Sequence, residues 1–464
     1  MRAKKRARTK NFWQTPHTFL RDMTELLMPA GNMEKLKFAI AYGADAVYAG
    51  VPAYSLRARE NQFDVGFLKE AVTYCHERGK KIYFTANIFP HNVKIPHFLR
   101  AMEKMVALNP DAFIMADPGV IHLTKQHFPQ AVIHLSVQSN NVNWASAQFW
   151  HQHVGVERVI LSRELSLKEI TEITEKNPGL EIECFVHGAI CMAYSGRCLL
   201  SNYFSWRDAN QGTCAHSCRW KYKLYEGKEN YAGEVEEYTP ITGKFFLEEG
   251  ERPGEMLEID EDEYGTYIMN SRDLCGLEFL PDLIRAGVMS LKVEGRSKTI
   301  YYAAITARAY RAALKAIANG TFNKDTIHTL LDEVFTTNNR GYIPGFLAGN
   351  PKDMAQEYEK RQGYHTHVFA GVVRQVQGNT VAIECKNRVD KGENIEFCFP
   401  EMEDDFTIPL TDFWNMDGEK VEAFSGGQGS FVMEIPHEKI SLFEKYSDNG
   451  ELFCVVRKEK EEAR

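Results

Sequence analysis

The stretch that decides the fold is residues 156–188, VERVILSRELSLKEITEITEKNPGLEIECFVHG. Two short apolar runs flank an amphipathic segment that ends in Asn-Pro-Gly. Apolar runs that alternate with helical segments are typical of βα units, whose parallel strands are covered on both faces. The stretch therefore predicts a strand, a helix and a second strand.

The same alternation begins at Thr24 and gives seven units before residue 190. Their strand segments read ELLMPAG, DAVYAG, KIYFTAN, DAFIMADPG, VIHLSVQS, VERVILSREL and LEIECFVHG. So many units in sequence favour a TIM-like (β/α)₈ barrel. The pattern resumes at TYIMNSRDLC and SLKVEGR, and we expect SLKVEGR, residues 290–296, to be the last barrel strand. The helix that follows, residues 297–320, is expected to pack with its basic side exposed.

Changes of pattern along the chain predict the other domains. The predicted parts are a basic disordered tail at 1–20, the barrel at 21–322 with an acidic, Gly-rich insertion at about 219–264, a helical connector at 323–362 and a C-terminal domain at 363–464. Short alternating strands with regular turns in the last part predict a small β-barrel. Its three cysteines occur singly in strand patterns and are expected to be buried.

Composition limits the classes of protein that fit. The chain has 464 residues, is 44% hydrophobic and has a net charge of −8, so nucleic-acid contacts must come from local patches. The first ten residues carry six positive charges, which suit a solvated tail or a phosphate-binding arm. An export signal and an apolar run long enough for a membrane span are both missing. We therefore expect a cytoplasmic protein that is not a disulfide scaffold.

Polar side chains follow the predicted strands at the end where TIM barrels carry their active sites. We assign catalytic roles to Glu183, His187, Arg163 and Glu164. Strand-end hydrogen bonding is the alternative for Glu183 and His187. Substrate binding is assigned to Arg57, Arg59, Asn87, Gln138, Arg272, Lys292, Glu294 and Arg296. The arginines match carboxylate or phosphate geometry, and positions 292, 294 and 296 share one face of a strand.

A ladder of cysteines follows the seventh strand. Its ligand candidates are Cys191, Cys198, Cys214 and Cys218, with Cys275 as an alternative to Cys218. The spacing lacks the paired C-x₂-C of structural zinc sites and does not match a ferredoxin run. Four soft ligands favour an Fe–S cluster over zinc, and free thiols come third. A nucleophilic Cys191 paired with His187 is a competing interpretation.

These motifs are similar to the blocks of a known family. Glu183-x-Phe185-x-x-Gly188-Ala-Ile-Cys191 and Gly196-x-Cys198-x-Leu-Ser resemble the signature of the collagenase-like peptidase family of unassigned mechanism. The resemblance covers nearly the whole chain, and AYSGRCLLS with NQGTCAHSCRW points to its tRNA uridine 5-hydroxylation branch. The C-terminal domain also resembles the one appended in that branch.

The resemblance implies a [4Fe–4S] cluster held by cysteines of the ladder. It implies hydroxylation without molecular oxygen, prephenate as a dicarboxylate co-substrate, and 5-hydroxyuridine at the wobble position of tRNA as product. Expected partners are tRNA, prephenate and an electron donor, with no membrane. A peptidase and a non-catalytic RNA-binding protein are the alternatives.

Overall fold

The computed structural model describes residues 24–56, 64–191, 193–194, 197–220, 225–231, 235–240, 245–248, 256–262, 265–267, 271–349, 351 and 364–460. The predicted tail at 1–20 lies outside the described residues, and so do the predicted substrate-binding residues Arg57 and Arg59.

The first half of the chain forms seven parallel strands, each buried in the interior of the protein. They are β1 (Glu25–Ala30), β2 (Ala46–Gly50), β3 (Lys81–Ala86), β4 (Ala112–Met115), β5 (Ile133–Leu135), β6 (Arg158–Ile160) and β7 (Glu181–Ala189). Each strand pairs in parallel with the next one along the chain. The predicted strand segments are therefore confirmed.

Helices between these strands cover the outside of the sheet. They are α1 (Met33–Ala41), α2 (Val65–Glu77), α3 (Ile95–Val106), α4 (Pro118–His127), α5 (Trp144–Phe149) and α6 (Leu167–Lys176). In α6 the Ser166 side chain accepts from the Glu169 N–H while the Glu169 carboxylate accepts from the Ser166 N–H, a capping box that fixes where the helix starts. Ile170 and Ile173 then face the core.

The chain leaves the barrel after β7 and returns to it before closure. This excursion contains α7 (Leu200–Ser205), the hairpin of β8 (Tyr225–Glu229) and β9 (Val235–Pro240), and a sheet of β10 (Phe245–Glu248), β11 (Met256–Asp262) and β12 (Gly265–Tyr267). Next comes β13 (Asp273–Cys275), which pairs antiparallel with the end of β7 and so lies beside the barrel.

Strand β14 (Ser290–Val293) follows helix α8 (Leu280–Arg285) and pairs in parallel with both β7 and β1. This double pairing closes an eight-stranded parallel barrel, as predicted for SLKVEGR. Its inward side chains form a separate apolar cluster that includes Leu27, Tyr48, Ile114 and Phe185.

The helix after β14 differs in part from the expectation. In helix α9 (Ile300–Asn319) Lys315 is exposed, as expected, but Arg308 is fully buried. Arg308 pairs with Glu333 of α10 (Lys324–Phe335) and with Asp405, and Arg457 also pairs with Glu333. We call Arg308, Glu333, Asp405 and Arg457 the domain network, since they join the barrel helices to the C-terminal domain. The short strand β15 (Tyr342–Ile343) then pairs with β13.

The C-terminal domain is an antiparallel sheet with its own apolar core. Its elements are β16 (His367–Gln377), β17 (Thr380–Cys385), β18 (Val389–Asp390), β19 (Asn394–Cys398), β20 (Phe406–Pro409), β21 (Phe413–Asn415), β22 (Lys420–Val421), β23 (Ala423–Phe424), β24 (Ser430–Glu434), α11 (Ile440–Lys445), β25 (Ser447–Asp448), β26 (Glu451–Leu452) and β27 (Val455–Glu459). Eight strands pair in the order 20-19-27-16-17-24-21-22, which makes a half-barrel because the outer two do not pair within residues 364–460. Cys385, Cys398 and Cys454 are buried, as predicted. Among the described helices, none is both long and apolar enough to cross a membrane.

Candidate active site at the barrel mouth

A cavity opens at the carboxyl ends of the barrel strands. Seven of the residues predicted for the site line it, namely Asn87, Gln138, Arg163, Cys191, Lys292, Glu294 and Arg296. Tyr48, Thr85, Ser136 and Phe185 complete the wall. Among the described lining residues, three cations face one carboxylate, so the cavity favours an anionic ligand.

One side of the cavity consists of hydrogen-bonded amides and hydroxyls. The Asn87 Nδ2 donates to Gln138 Oε1 at 2.8 Å and to Ser136 Oγ at 3.3 Å. The Asn87 Oδ1 accepts from the backbone N–H of Leu56 at 3.1 Å. Because both ends of Asn87 are engaged, this wall is fixed in orientation before any ligand arrives.

The cavity wall also carries two arginines. Arg296 Nη1 donates to Ser55 Oγ at 2.7 Å and to Thr85 Oγ1 at 3.1 Å. Arg163 Nη2 donates to Glu294 Oε2 at 2.9 Å, and its guanidinium carbon lies 3.7 Å from the centre of the Phe185 ring. Stacking on an aromatic face holds a guanidinium in one plane. Both arginines are thus positioned cations.

Below the cavity lie four charged side chains that we call the barrel network: Glu25, Arg158, Glu183 and Lys292. Lys292 Nζ donates to Glu183 Oε1 at 2.7 Å, and Arg158 Nη1 donates to Glu183 Oε2 at 3.0 Å and to Glu25 Oε1 at 2.7 Å. Lys292 Nζ also lies 4.5 Å from the centre of the Tyr48 ring. Lys292 lines the cavity, whereas Glu183 lies two residues further down β7 than Phe185 and is fully buried.

The electrostatics of this pair make Glu183 a partner of Lys292 rather than an exposed acid or base. Burial favours the protonated carboxyl, but Lys292 and Arg158 outweigh it and lower the pKa of Glu183 from its ordinary value. Burial also lowers the pKa of Lys292, and Glu183 offsets only part of that effect. Glu183 therefore orients an ammonium at the cavity floor.

His187 lies outside the mouth, against the helix layer. The register between β7 and β14 shifts after Lys292, so that His187 pairs with Val293 and leaves the inward alternation of Glu183 and Phe185. Its Nδ1 contacts the Tyr310 hydroxyl at 3.3 Å and its Nε2 contacts the Tyr342 hydroxyl at 3.2 Å. Burial lowers the pKa of His187 to about 3. The expectation that His187 stands at the mouth is corrected by this shift.

Two further predicted residues lie away from the cavity wall. Glu164 follows Arg163, and its Oε2 is buried without a hydrogen-bond partner among the described residues. Arg272 directly precedes β13 and is partly buried. The structure thus groups Arg163 with the cavity and leaves Glu164 and Arg272 at its periphery.

The segment that follows β7 carries four cysteines, one of which reaches the mouth. Cys191 is exposed and lines the cavity, and Cys198, Cys214 and Cys218 are partly buried. Ser201 Oγ accepts from the Ala215 N–H at 2.8 Å and donates to the Arg207 carbonyl at 2.6 Å, which folds the two ends of the segment together. Arg207 in turn donates to the Cys214 carbonyl at 3.2 Å, and its Nε is buried without a hydrogen-bond partner in the described part of the chain.

Within the described residues, the loop cysteines do not bring three sulfurs as close together as a preformed zinc site requires. A tetrahedral zinc site with Zn–S distances of about 2.3 Å sets its sulfurs about 4 Å apart. Across the described residues, only Glu396, Cys398 and Asp405 bring three such ligand atoms within 4.8 Å of one another. Arg457 and Arg308 already neutralise those two carboxylates. Thiolates are ligands that soft metals and Fe–S clusters take, so the residue types of the loop fit the predicted cluster.

Cys275 is placed differently from the loop thiols. It is buried in β13, and its Sγ contacts the Tyr310 hydroxyl at 3.8 Å on the side that faces helix α9. Burial raises the pKa of the Cys275 thiol to about 11, which disfavours the thiolate that a metal needs. Cys218 is partly exposed on the same loop as Cys198 and Cys214, and the choice between Cys218 and Cys275 as fourth ligand stays a prediction.

Residues that sequence reasoning missed include Glu25, Arg158, Tyr48 and Phe185. Glu25 opens the first apolar run and Arg158 lies within the sixth, and a charge inside a buried strand is itself a signal of a network. The period of two could also have placed Phe185 beside Glu183 on the inward face.

The protein is a closed parallel barrel with cations at its mouth. A loop with four cysteines follows β7, and a β half-barrel is appended to the barrel. Residues 31–357 match the model of "Peptidase family U32", and residues 365–443 match that of "Peptidase family U32 C-terminal domain". The chain therefore belongs to peptidase family U32.

Curated relatives in this family carry two kinds of name. The chain is 45% identical over 434 residues to "tRNA hydroxylation protein P" of Escherichia coli (strain K12), covering 89% of this chain and 94% of the relative. It is 37% identical over 401 residues to "tRNA hydroxylation protein P1" of Bacillus subtilis (strain 168), covering 86% and 89%. It is 30% identical over 363 residues to "Collagenase" of Porphyromonas gingivalis (strain ATCC BAA-308 / W83), covering 76% and 78%.

Proposed function

We propose that this chain is an Fe–S-dependent tRNA-modifying enzyme that forms 5-hydroxyuridine at the wobble position without molecular oxygen, with prephenate as co-substrate. The observation that carries the proposal is the 45% identity, over 89% of the chain, to a protein named for tRNA hydroxylation. A tRNA substrate would place the enzyme in the cytoplasm, and an electron donor would be a further partner.

The cavity supports the choice of a carboxylate-bearing co-substrate. Arg163, Lys292 and Arg296 present three cations to it, and guanidinium groups match carboxylates in geometry. The Asn87 and Gln138 amides would fix the orientation of such a ligand through hydrogen bonds. In this role Lys292 is a binding group held in place by Glu183.

Cys191, Cys198, Cys214 and Cys218 would hold a [4Fe–4S] cluster. Such a cluster supplies one-electron or Lewis-acid chemistry when bound. Because Cys191 lines the cavity, ligands there would lie beside the cluster. Phe185 and Ile160 add apolar surface to the wall of that cavity.

Nucleoside mass spectrometry of tRNA from a deletion strain is the direct test. We expect 5-hydroxyuridine to disappear and to return when the wild-type gene is supplied on a plasmid. Unchanged 5-hydroxyuridine in a strain without other family members would reject the proposal.

The metal assignment has its own experiment. Protein purified without oxygen should contain iron and sulfide, and Cys218→Ser should lower both while Cys275→Ser leaves them near the wild-type content. Stoichiometric zinc in a colourless protein would exclude the cluster. Loss of iron in Cys275→Ser alone would make Cys275 the fourth ligand.

A peptidase is the second candidate, favoured by the relative named Collagenase. The geometry does not couple Cys191 with His187, since both ring nitrogens of His187 contact tyrosine hydroxyls on the outer side of β7 while Cys191 lines the mouth. Gelatin cleavage that is abolished by Cys191→Ala, in protein freed of contaminants, would nevertheless revive it.

A further inference from the structure

Exposed apolar side chains concentrate around the mouth. Of the 15 large hydrophobic residues that are exposed in the described part of the chain, seven lie in segments 89–100 and 191–220. They are Val93, Tyr194, Leu199, Tyr203, Phe204, Trp206 and Trp220. These segments touch, because Phe89 N–H donates to the Asn210 carbonyl at 3.3 Å. We call Tyr203, Phe204, Trp206 and Trp220 the aromatic rim.

Packing explains the position of Trp206 less well than that of the other exposed residues. It is 92% exposed, so its indole contributes almost nothing to the core. It ends α7 in the left-handed conformation, with φ of 55°, where its N–H donates to the Asn202 carbonyl. Glycine is the residue that stability favours at such a helix end, and a bulky side chain there is strained. An exposed Trp at this position points to selection for contact with something else.

The surroundings of the rim are basic although the protein is acidic. Segments 89–100 and 191–220 contain Lys94, Arg100, Arg197, Arg207 and Arg219 and one acid, Asp208, whereas the chain as a whole has a net charge of −8. Arg197 lies with its guanidinium 5.3 Å from the centre of the Phe89 ring, at the junction of the two segments. Aromatic faces among cations suit the bases and phosphates of unpaired nucleic acid better than an apolar protein partner.

We infer that the aromatic rim is a docking surface for single-stranded RNA, on which unpaired bases stack beside the mouth. The inference rests on the proposed function for its choice of RNA, and it adds the surface on which the unpaired loop docks. Tyr203 and Trp206, the two most exposed members, are the stacking residues, and the basic segments contact the backbone.

The test uses the full-length protein and two RNA probes, a stem–loop with a uridine-containing loop and a duplex of the same length. Base–aromatic stacking predicts that Trp206→Gly weakens stem–loop binding roughly 5- to 150-fold. The same variant should unfold at a urea concentration no lower than the wild type, since glycine relieves the backbone. Tyr203→Ala should weaken binding similarly, and Phe149→Ala, which removes a 52%-exposed aromatic on α5, should not.

The outcomes separate this inference from the proposed function. Equal stem–loop affinity of wild type and Trp206→Gly overturns the docking surface, as does absence of RNA binding by the wild type. If Trp206→Gly weakens the affinity for the stem–loop and for the duplex equally, the docking surface is also overturned, because the protein would then not distinguish unpaired bases from paired ones. If Trp206→Gly restores 5-hydroxyuridine fully in the deletion strain, the proposed function stands and the docking surface falls. If the aromatic rim binds RNA loops but tRNA from the deletion strain keeps its 5-hydroxyuridine, the docking surface stands and the proposed function falls.

Discussion

The barrel network and the domain network are two buried sets of ion pairs with similar construction. In each, one carboxylate lies between two cations: Glu183 between Lys292 and Arg158, and Glu333 between Arg308 and Arg457. They differ in what surrounds them. Lys292 lines a cavity at the barrel mouth, whereas Arg308 is enclosed between α9, α10 and the C-terminal sheet. The same chemistry thus presents a cation to ligands in one place and joins two domains in the other.

This difference shows why a buried ion pair alone does not identify a functional site. Desolvation of the charges offsets most of the Coulomb attraction, so the pair itself is weak evidence for stability. Removal of one partner is costly in either network because it leaves a charge buried. Only an effect on ligand binding or turnover can distinguish the two.

The largest expected change in stability is in the domain network. Arg308→Met leaves Asp405 without the cation that lies 2.9 Å from it and should lower the free energy of unfolding by about 3–5 kcal/mol. Urea unfolding of the full chain measures this. The double variant Arg308→Met with Asp405→Asn should recover part of the loss, and 5-hydroxyuridine per folded molecule should stay at the wild-type level. A specific loss of product would place the domain network in the catalytic machinery.

The matching change in the barrel network should act mainly on the reaction. Lys292→Met removes a cavity cation, and we expect at least about a 100-fold loss of 5-hydroxyuridine formation, the size typical for loss of one preorganised electrostatic group. Complementation of the deletion strain with nucleoside mass spectrometry measures it. Adding Glu183→Gln should restore part of the stability, because the carboxylate that lost one of its two cations is then neutral, without restoring product. Recovery of both would make Lys292 a structural residue.

The contrast between these networks also marks what the sequence could predict. Continuous apolar runs predicted the barrel, because strands that are buried on both faces are apolar along their whole length. The Lys292–Glu183 pair joins residues 109 positions apart, and no local pattern encodes it. His187 was misplaced because a register shift in β7 reverses the alternation after Phe185. The burial of Arg308 could not be predicted, because nothing within α9 shows that a second domain covers it.

A smaller effect should appear in the pH dependence of stability. The pKa of His187 is about 3 in the folded protein and near 6.5 when unfolded, so only the unfolded chain takes up this proton as the pH falls below 6.5. The contribution of neutral His187 to the free energy of unfolding is therefore complete above pH 6.5 and is lost progressively as the pH falls to about 3. Between those values His187 contributes a slope of about 1.4 kcal/mol per pH unit, and His187→Gln should remove it. An unchanged slope in urea titrations at pH 4–6 would contradict the buried, neutral ring.

The smallest expected effect comes from a pair of tyrosine hydroxyls, one near each network. Tyr42 OH donates to the Cys398 carbonyl at 2.7 Å across the domain junction, and Tyr48 OH donates to the Val293 carbonyl at 2.8 Å in the barrel. Tyr48→Phe should cost about 1 kcal/mol of unfolding free energy, since one buried acceptor loses its donor. Tyr42→Phe should cost about 2 kcal/mol, because the Val455 N–H, which donates to Tyr42 OH at 3.2 Å, also loses its acceptor. Only Tyr48 lines the cavity, so only Tyr48→Phe should alter the affinity for the co-substrate, measured by calorimetry with prephenate. Equal effects of both variants on that affinity would mean that the two networks act on the site together, because a change at the domain junction would then reach the mouth through α9.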